Sequence, residues 1–472
     1  MYSRFSPHVN ALLAWPPSRT IWGGVVALAV IGASCGSDSP PSATPTGTAI
    51  PATATPTGPT ATPTPDLTVL LRDGGIAIIE KAYDRLLDQY INPADPAALL
   101  GAAWSGAAKE AAAKGIAVPA RPALSGDRAG DFAAFREAWG RLTGGVADPK
   151  EMRFAAIRVM AQSLNDCHTF FLNPVASTTL EDQRTGAGVV GVGIELAGVP
   201  PLVTEVISGS PAGDAGVLVG DRIASIDGAD ASAFGPAAAF DLINGEEGTA
   251  VRLRLRRPDA GTLIEATLTR ARVTPPIVTS RVVGDGVGYV RVRQFVDGGI
   301  NGQLKSALEE FERQGVTRWI IDLRDNAGGR LDTEAISLFV QTGVVARDRN
   351  REGDLHEDVA SGHVLAVLRP TVLLTNNRTG SVSEVFAAAL REYGLASLVG
   401  APTNGCAGYT DIQPFGDGSS MAVTTHVNLG PVSNTPLSGT GLSPDVWVDR
   451  SQDDISNGRD PQLEAAIGYL AP

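Results

Sequence analysis

The hydrophobic period changes twice along this chain, and that change limits the folds it can adopt. Before about residue 174, apolar residues return every three or four positions, as in EMRFAAIRVMAQSL, which predicts helices. Over 186–273 they alternate, as in VRLRLRR, which predicts strands divided by turns. From Val287 onward, strand and helix patterns follow each other, as in TRWIIDLRDNAGG and LDTEAISLFVQ. We therefore expect a helical segment, a mostly-β domain and a layered α/β core.

Composition excludes several classes of protein. The chain carries 38 basic and 51 acidic side chains, for a net charge of −13, and it has no run rich in Lys or Arg. This balance argues against nucleic acid as a partner. The sequence also lacks an H-E-x-x-H motif and a P-loop, so we expect no metal and no nucleotide cofactor.

The first 66 residues show no pattern of a folded domain. The apolar run IWGGVVALAVIGAS ends directly before Cys35 and is shorter than the roughly 20 residues that a membrane-spanning helix needs. It predicts a signal peptide over 1–35 whose end resembles a bacterial lipoprotein cleavage box, with Cys35 lipidated; an ordinary signal peptide is the alternative. Residues 36–66, rich in Pro and Thr, predict a disordered stalk. We therefore expect export and a lipid anchor on the extracytoplasmic face of the membrane, or else a secreted or periplasmic protein.

Two glycine-rich motifs mark the β domain over 186–273. The segment GVGIEL is followed by SGSPAGDAGVLVGDRIASIDG, and together they resemble the PDZ domain pattern. Such a domain binds a peptide as an added strand and holds its terminal carboxylate in backbone N–H groups. Here the resemblance places that site at Gly191, Val192, Gly193 and Ile194. A domain that only packs on its neighbours is the alternative.

Several motifs of the last part of the chain occur in a fixed order. VGYVRVRQF, IIDLRDNAGG, SVSEVFAAALREYG, VGAPTNG and GLSPDVWV follow the PDZ-like block. This order resembles the carboxyl-terminal processing (tail-specific) serine proteases. The resemblance implies a crotonase-like (ClpP-like) α/β protease core over 274–472, an N-terminal helical domain over 67–180, and peptide or protein substrates engaged through free carboxyl termini.

Ser381, the first serine of SVSE, matches the nucleophile of that family. The backbone N–H groups of Val382 and of Gly328 or Gly329 match its oxyanion hole. Each such donor stabilises the charge on the attacked carbonyl oxygen by about 3 kcal/mol. Ser381 and Glu384 also fit a capping box at the start of an apolar helix, which is the alternative without catalysis.

The general base departs from the common pattern of the family. Cys406 occupies the position, 25 residues after Ser381, where most relatives have a catalytic lysine, and Lys305 is the last lysine of the chain. Ser438 stands where many relatives have Glu. The segment DCHT resembles the one that supplies a histidine in tricorn-like branches, so His168 is the candidate base. A histidine that caps a helix end is the alternative.

The other histidines past the stalk, His356, His363 and His426, lie on a charged loop or on strand-like runs, where a structural role is expected. With Cys35 lipidated or removed, Cys167 and Cys406 remain, and an oxidising compartment favours a disulfide between them. Two unrelated thiols, or a redox-sensitive Cys406, are the alternatives.

The sequence thus predicts an exported, membrane-anchored serine endopeptidase. Two other functions stay open. One is a catalytically inactive pseudoprotease, which would have lost its activity because the lysine and the glutamate are absent. It would act as a surface lipoprotein that binds peptides or small ligands. The other is a core that binds an apolar small molecule.

Overall fold

The computed structural model describes residues 71–257, 263–284, 286–365 and 367–471. The predicted signal peptide, Cys35 and the stalk lie outside these residues. Within the described part, a helical segment, an inserted β domain and a layered α/β core follow each other, which confirms the predicted fold class. No helix there combines the length and the apolar character that crossing a membrane requires.

The helical segment begins with a 3-10 turn, Arg72–Gly75, and continues as four helices and a short strand: α1 (Ile76–Gln89), α2 (Pro96–Ala113), α3 (Arg128–Thr143), α4 (Lys150–Gln162) and β1 (Phe170–Leu172). Asp95 and Asp127 cap α2 and α3 by accepting backbone N–H groups of the first turn. The apolar faces of these helices pack in one cluster with Phe171, Phe415, Met421 and Val423. The segment therefore shares its core with residues 415–423 rather than enclosing a separate one.

The inserted β domain follows α5 (Pro174–Arg184). Its strands and helices are β2 (Val189–Gly191), β3 (Ile194–Ala197), β4 (Leu202–Val206), α6 (Pro211–Asp214), β5 (Arg222–Ile226), β6 (Ala229–Asp230), α7 (Pro236–Ile243), β7 (Ala250–Arg256), β8 (Leu263–Thr269) and β9 (Ala271–Val273). The order β3-β4-β5-β7-β8 leaves β3 at the sheet edge, and β2 pairs with β9. The domain has an apolar cluster of its own.

In the described residues from 274 onward, the core contains ten strands and five helices. They are β10 (Val278–Val283), β11 (Val287–Val292), α8 (Asn301–Arg313), β12 (Arg318–Asp322), α9 (Thr333–Ser337), β13 (Val344–Asn350), β14 (Leu355–Val359), β15 (Thr371–Thr375), α10 (Val382–Glu392), β16 (Ala396–Gly400), β17 (Gly408–Pro414), β18 (Ser420–Leu429), β19 (Val446–Trp447), α11 (Gln452–Ser456) and α12 (Pro461–Tyr469).

Two sheets organise these elements. The first has the order β10-β11-β12-β15-β16-β19 and is parallel except for β10. Helices α8, α9 and α10 contribute to the apolar cluster on one face, and α12 packs on the other. The second sheet has the order β1-β18-β13-β14, with β17 also paired to β18. Because β1 joins it, the helical segment is attached directly to the sheet next to α10.

Candidate active site

Two loops meet at one edge of the parallel sheet. Strands β12 and β15 are parallel neighbours, so the loops that leave their carboxyl ends lie side by side. The Gly380 N–H donates to the Asn326 carbonyl at 3.0 Å, and the Thr379 hydroxyl donates to the Leu323 carbonyl at 2.8 Å. A Cβ atom on Gly328 would lie 2.6 Å from Ser381 Cβ, so only glycine permits this approach.

Ser381 has a backbone conformation that residues other than glycine rarely adopt. Its φ is 55° and its ψ is −125° at the start of α10. Such strain persists only where the surrounding structure holds it, and it is concentrated at functional sites. Ser381 is 4% exposed, and it lines a pocket of about 340 Å³. A sharp turn therefore presents a serine to a cavity of side-chain size.

Glu384 holds this turn from inside the protein. Its fully buried carboxylate accepts hydrogen bonds from the Thr403 hydroxyl and from the N–H groups of Gly405, Cys406 and Ser381, at 2.5 to 3.1 Å. Burial raises the pKa of Glu384 above its ordinary value, and these hydrogen bonds oppose the rise. The glutamate expected as a helix cap thus also fastens Ser381 to the turn that carries Cys406.

Gly329 and Val382 line the same pocket as Ser381. In the described part of the chain, the Val382 and Gly329 N–H groups donate to no acceptor. The Gly328 N–H donates to Asn326 Oδ1 at 2.9 Å and is not available to a ligand. Of the two glycines considered from the sequence, Gly329 is therefore the one that can pair with Val382 as an oxyanion donor.

Asp166 fastens the segment that carries His168 to β18. Asp166 Oδ1 accepts the His168 backbone N–H at 3.1 Å. Its other carboxylate oxygen accepts the hydroxyls of Thr169 and Thr424, at 2.6 and 2.5 Å. These contacts hold residues 166–169, which follow α4, against β18 of the second sheet.

The expected disulfide between Cys167 and Cys406 is present. His168 Nδ1 lies 3.0 Å from Cys406 Sγ and 3.4 Å from Cys167 Sγ. The imidazole is 1% exposed, and burial lowers its pKa to about 4, against the opposing effect of Asp166.

Ligand atoms of Cys167, His168 and Cys406 lie within 4.8 Å of one another, but a disulfide has no thiolate to offer a metal ion.

Cys406 connects the two candidate catalytic residues. Its carbonyl accepts the Ser381 N–H at 2.7 Å, while its sulfur contacts the His168 ring. Gly408 lines the Ser381 pocket, and a Cβ atom there would lie 3.7 Å from His168 Nδ1. Among the described residues, Ser381 Oγ and the His168 ring make no direct hydrogen bond.

The positions of two other histidines were not expected from the sequence. His356 and His426 line the same pocket as Ser381, together with Asp348. His363 lies on the surface, with its Nδ1 3.3 Å from a Glu334 carboxylate oxygen. The pairing of β14 and β18 with β13 brings His356 and His426 to the pocket, and that pairing cannot be read from any local motif.

Ser438 occupies a structural position near this site. Its hydroxyl donates to the Ala407 carbonyl at 2.6 Å and lies 3.2 Å from the Ala407 N–H. Ser438 therefore supports the residue after Cys406.

The edge strand β3 begins in a tightly packed loop. Gly193 has a φ of 79°, and a Cβ atom there would lie 2.2 Å from Ser210 Cβ. The carbonyls of Val192 and Gly193 accept backbone N–H groups of Ala212 and Ile207. Helix α7, with a half-exposed Phe240, lies beside β3. The loop is thus fixed, while one side of β3 has no strand partner among the described residues.

Comparisons with known proteins place this geometry in context. Residues 286–448 match the model of peptidase family S41, and residues 202–257 match a PDZ domain model. The carboxyl-terminal-processing protease of Picosynechococcus sp. is 32% identical over 333 residues, which are 68% of this chain and 80% of that protein. The protein of the same name from Synechocystis sp. is 31% identical over 337 residues, covering 68% and 77%. The solved structure of a photosystem II D1 C-terminal processing protease, 24% identical, covers 84% of this chain and 97% of its own with a TM-score of 0.50.

Proposed function

The chain belongs to peptidase family S41, and we propose that Ser381 and His168 carry out its chemistry. The family predicted from the motif order is confirmed, and with it a serine-type peptidase that acts on peptides or proteins. Because the relatives are carboxyl-terminal-processing proteases, an endopeptidase is favoured over a pseudoprotease.

The observation that carries the assignment of the nucleophile is the geometry of Ser381. It combines a positive φ, a side chain on a pocket, and two backbone N–H groups without acceptors, those of Val382 and Gly329. A helix-capping serine needs neither the strain nor the pocket. Donors held at fixed positions are suited to stabilise the charge that develops on an attacked carbonyl oxygen.

His168 is supported by its contact with Cys406, the residue whose carbonyl accepts the Ser381 N–H. A ring with a lowered pKa is neutral near pH 7 and can accept a proton. If Nδ1 carries the hydrogen and donates to Cys406 Sγ, the lone pair is on Nε2. The disulfide would then set the tautomer in which Nε2 serves as the base.

In the proposed reaction, the Ser381 hydroxyl transfers its proton to His168 Nε2 as Oγ bonds to the substrate carbonyl carbon. The Val382 and Gly329 N–H groups bind the oxygen that becomes negative. The C–N bond then breaks, and the leaving amine takes the proton from His168. Water repeats the sequence on the acyl-enzyme, giving its proton to His168, and Ser381 regains a proton as the new carboxyl group leaves.

Ser381→Ala should abolish labelling by a serine-reactive fluorophosphonate and lower kcat for peptide hydrolysis by at least about 10³-fold, because the acyl-enzyme cannot form. The matched control is Ser383→Ala, which removes a buried hydroxyl without a partner from the same helix. Its labelling and rate should stay near wild type. Labelling that persists in folded Ser381→Ala would refute Ser381 as the nucleophile.

We further propose that the PDZ domain binds a carboxyl-terminal peptide beside β3, with the terminal carboxylate held at Gly191, Val192, Gly193 and Ile194. The unpaired edge of β3 and the adjacent α7 support this site. A peptide with a free, apolar carboxyl terminus should bind at least about tenfold more tightly than its amidated form, since amidation removes the charge. Calorimetric titration measures the affinities of the free and the amidated peptide. Equal affinities would leave the domain only a packing role.

Export and lipid attachment at Cys35 also remain part of the proposal. They are supported by the apolar run before Cys35, by the Pro- and Thr-rich residues that follow, and by a disulfide, which is typical of oxidising compartments. The protein would then be attached to the membrane through the lipid on Cys35.

A further inference from the structure

One face of the second sheet forms a polar wall of the Ser381 pocket. Asp348 of β13 is paired directly with His356 of β14 and with Asn428 of β18. Directly paired residues of antiparallel strands point to the same face of a sheet. Asp358, paired with Ala346, belongs to this face as well, and all five residues line the pocket.

Arg347 of β13 also lines the pocket, but its positive charge is paired with a carboxylate. Arg347 is paired across the strands with Glu357, and their side chains form an ion pair at 2.6 Å. Arg330 is close enough to Tyr409, which lines this pocket, for its positive charge to oppose the rise of the Tyr409 pKa. Its Nη1 lies 3.4 Å from a carboxylate oxygen of Asp297. Neither arginine forms an ion pair with Asp348.

Asp348 has only imidazole partners within ion-pair distance among the described residues. His356 Nδ1 lies 3.2 Å from one carboxylate oxygen, and His426 Nε2 lies 4.0 Å from the other. The Asp348 side chain is 19% exposed, so its charge is only partly screened by water.

The same pocket also has apolar lining residues, which are Leu331, Ala346, Val382 and Val385. A side chain that enters it would therefore meet both apolar groups and the carboxylates of Asp348 and Asp358. A lysine or arginine fits this combination, because its aliphatic stem packs on apolar surface while its charged end reaches the acids.

We propose that Asp348 makes this peptidase selective for a lysine or arginine at the residue whose carbonyl Ser381 attacks. The inference rests on Ser381 as the nucleophile. Asp348 is the specificity-determining residue, and Asp358 adds to the same field. An acidic substrate side chain at this position would be rejected, since it would meet two carboxylates.

The test uses three peptides that differ only at that residue, which is lysine, norleucine or glutamate. For the wild-type protein, kcat/KM should be at least tenfold higher for lysine than for norleucine, and lowest for glutamate. In Asp348→Asn, the ratio of kcat/KM for the lysine peptide to kcat/KM for the norleucine peptide should fall about tenfold. Cleavage of the norleucine peptide should persist, which would show that the variant is folded. Glu352→Gln, an equal loss of charge on the exposed turn between β13 and β14, should leave the ratio unchanged.

Two results would overturn the inference: a wild-type ratio at or below one, or a ratio that Asp348→Asn does not change. Ser381→Ala separates this failure from that of the proposed nucleophile. If Ser381→Ala still cleaves, the assignment of Ser381 fails instead. If the wild type cleaves none of the peptides, binding of their amidated forms to Ser381→Ala decides the question, and equal affinities for lysine and norleucine would reject it.

Discussion

His168→Ala should lower kcat/KM for peptide hydrolysis by about 10³-fold, within the range that a positioned general base contributes. The protein should remain folded, because the disulfide beside the ring is unchanged. Without the imidazole, the Ser381 hydroxyl has to lose its proton to water. Steady-state rates with a peptide substrate, together with thermal unfolding, measure the two effects.

His426→Ala is the matched control. His426 lines the Ser381 pocket, whereas His168 lies behind Gly408 with its ring against the disulfide. If His168 is the base, His426→Ala should change substrate preference more than kcat. If His426→Ala is instead the variant that loses activity, and His168→Ala is nearly normal, the base has been assigned wrongly.

The pH dependence gives an independent measurement of the same prediction. Burial lowers the pKa of His168 from 6.5 to about 4, so the base stays neutral down to well below pH 6. The acid limb of kcat/KM should therefore lie between pH 4 and 5. The unfolded chain binds this proton near pH 6.5, so the free energy of unfolding should fall as the pH drops from 6.5 towards 4. His168→Ala should remove that part of the slope.

The sequence was sufficient to predict the fold class and the family, while the residues proposed to carry the chemistry stay a prediction. Ser381 and the glycines at 328 and 329 lie in loops after neighbouring parallel strands, and motif order and period indicate such loops. The sequence could not tell which glycine N–H remains free, because that depends on the Asn326 side chain, which accepts the one from Gly328.

The polar wall of the pocket could not be predicted for a related reason. Asp348, His356 and His426 are distant in sequence from Ser381, and only the register of β13 with β14 and β18 gathers them. Nor did the helical period reveal that the first helices share a core with Met421 and Val423. Helical periodicity shows which face is buried but not what covers it.

The disulfide is the feature whose loss should affect stability most. It joins residues 239 positions apart, and closing so long a loop lowers the entropy of the unfolded chain by an amount equivalent to about 5 kcal/mol on the chain-entropy model. Since whole domains are stable by only about 5 to 15 kcal/mol, Cys406→Ala should shift the urea midpoint strongly. Reduction of the wild-type protein should give a similar shift.

The disulfide should also matter for the rate, and a pair of variants separates the two roles. Cys406→Ala removes both the crosslink and the acceptor next to His168 Nδ1, whereas Cys406→Ser removes the crosslink but leaves a hydroxyl oxygen that can accept from the ring. Both should lose the same stability, yet Cys406→Ser should keep more of kcat, because its His168 retains the tautomer with the lone pair on Nε2. Equal rates in two equally destabilised variants would show that Cys406 serves stability alone. Two free thiols in the native protein, found by non-reducing peptide mapping, would contradict both roles, since Asp166 and its threonine partners would then hold the His168 segment without a crosslink.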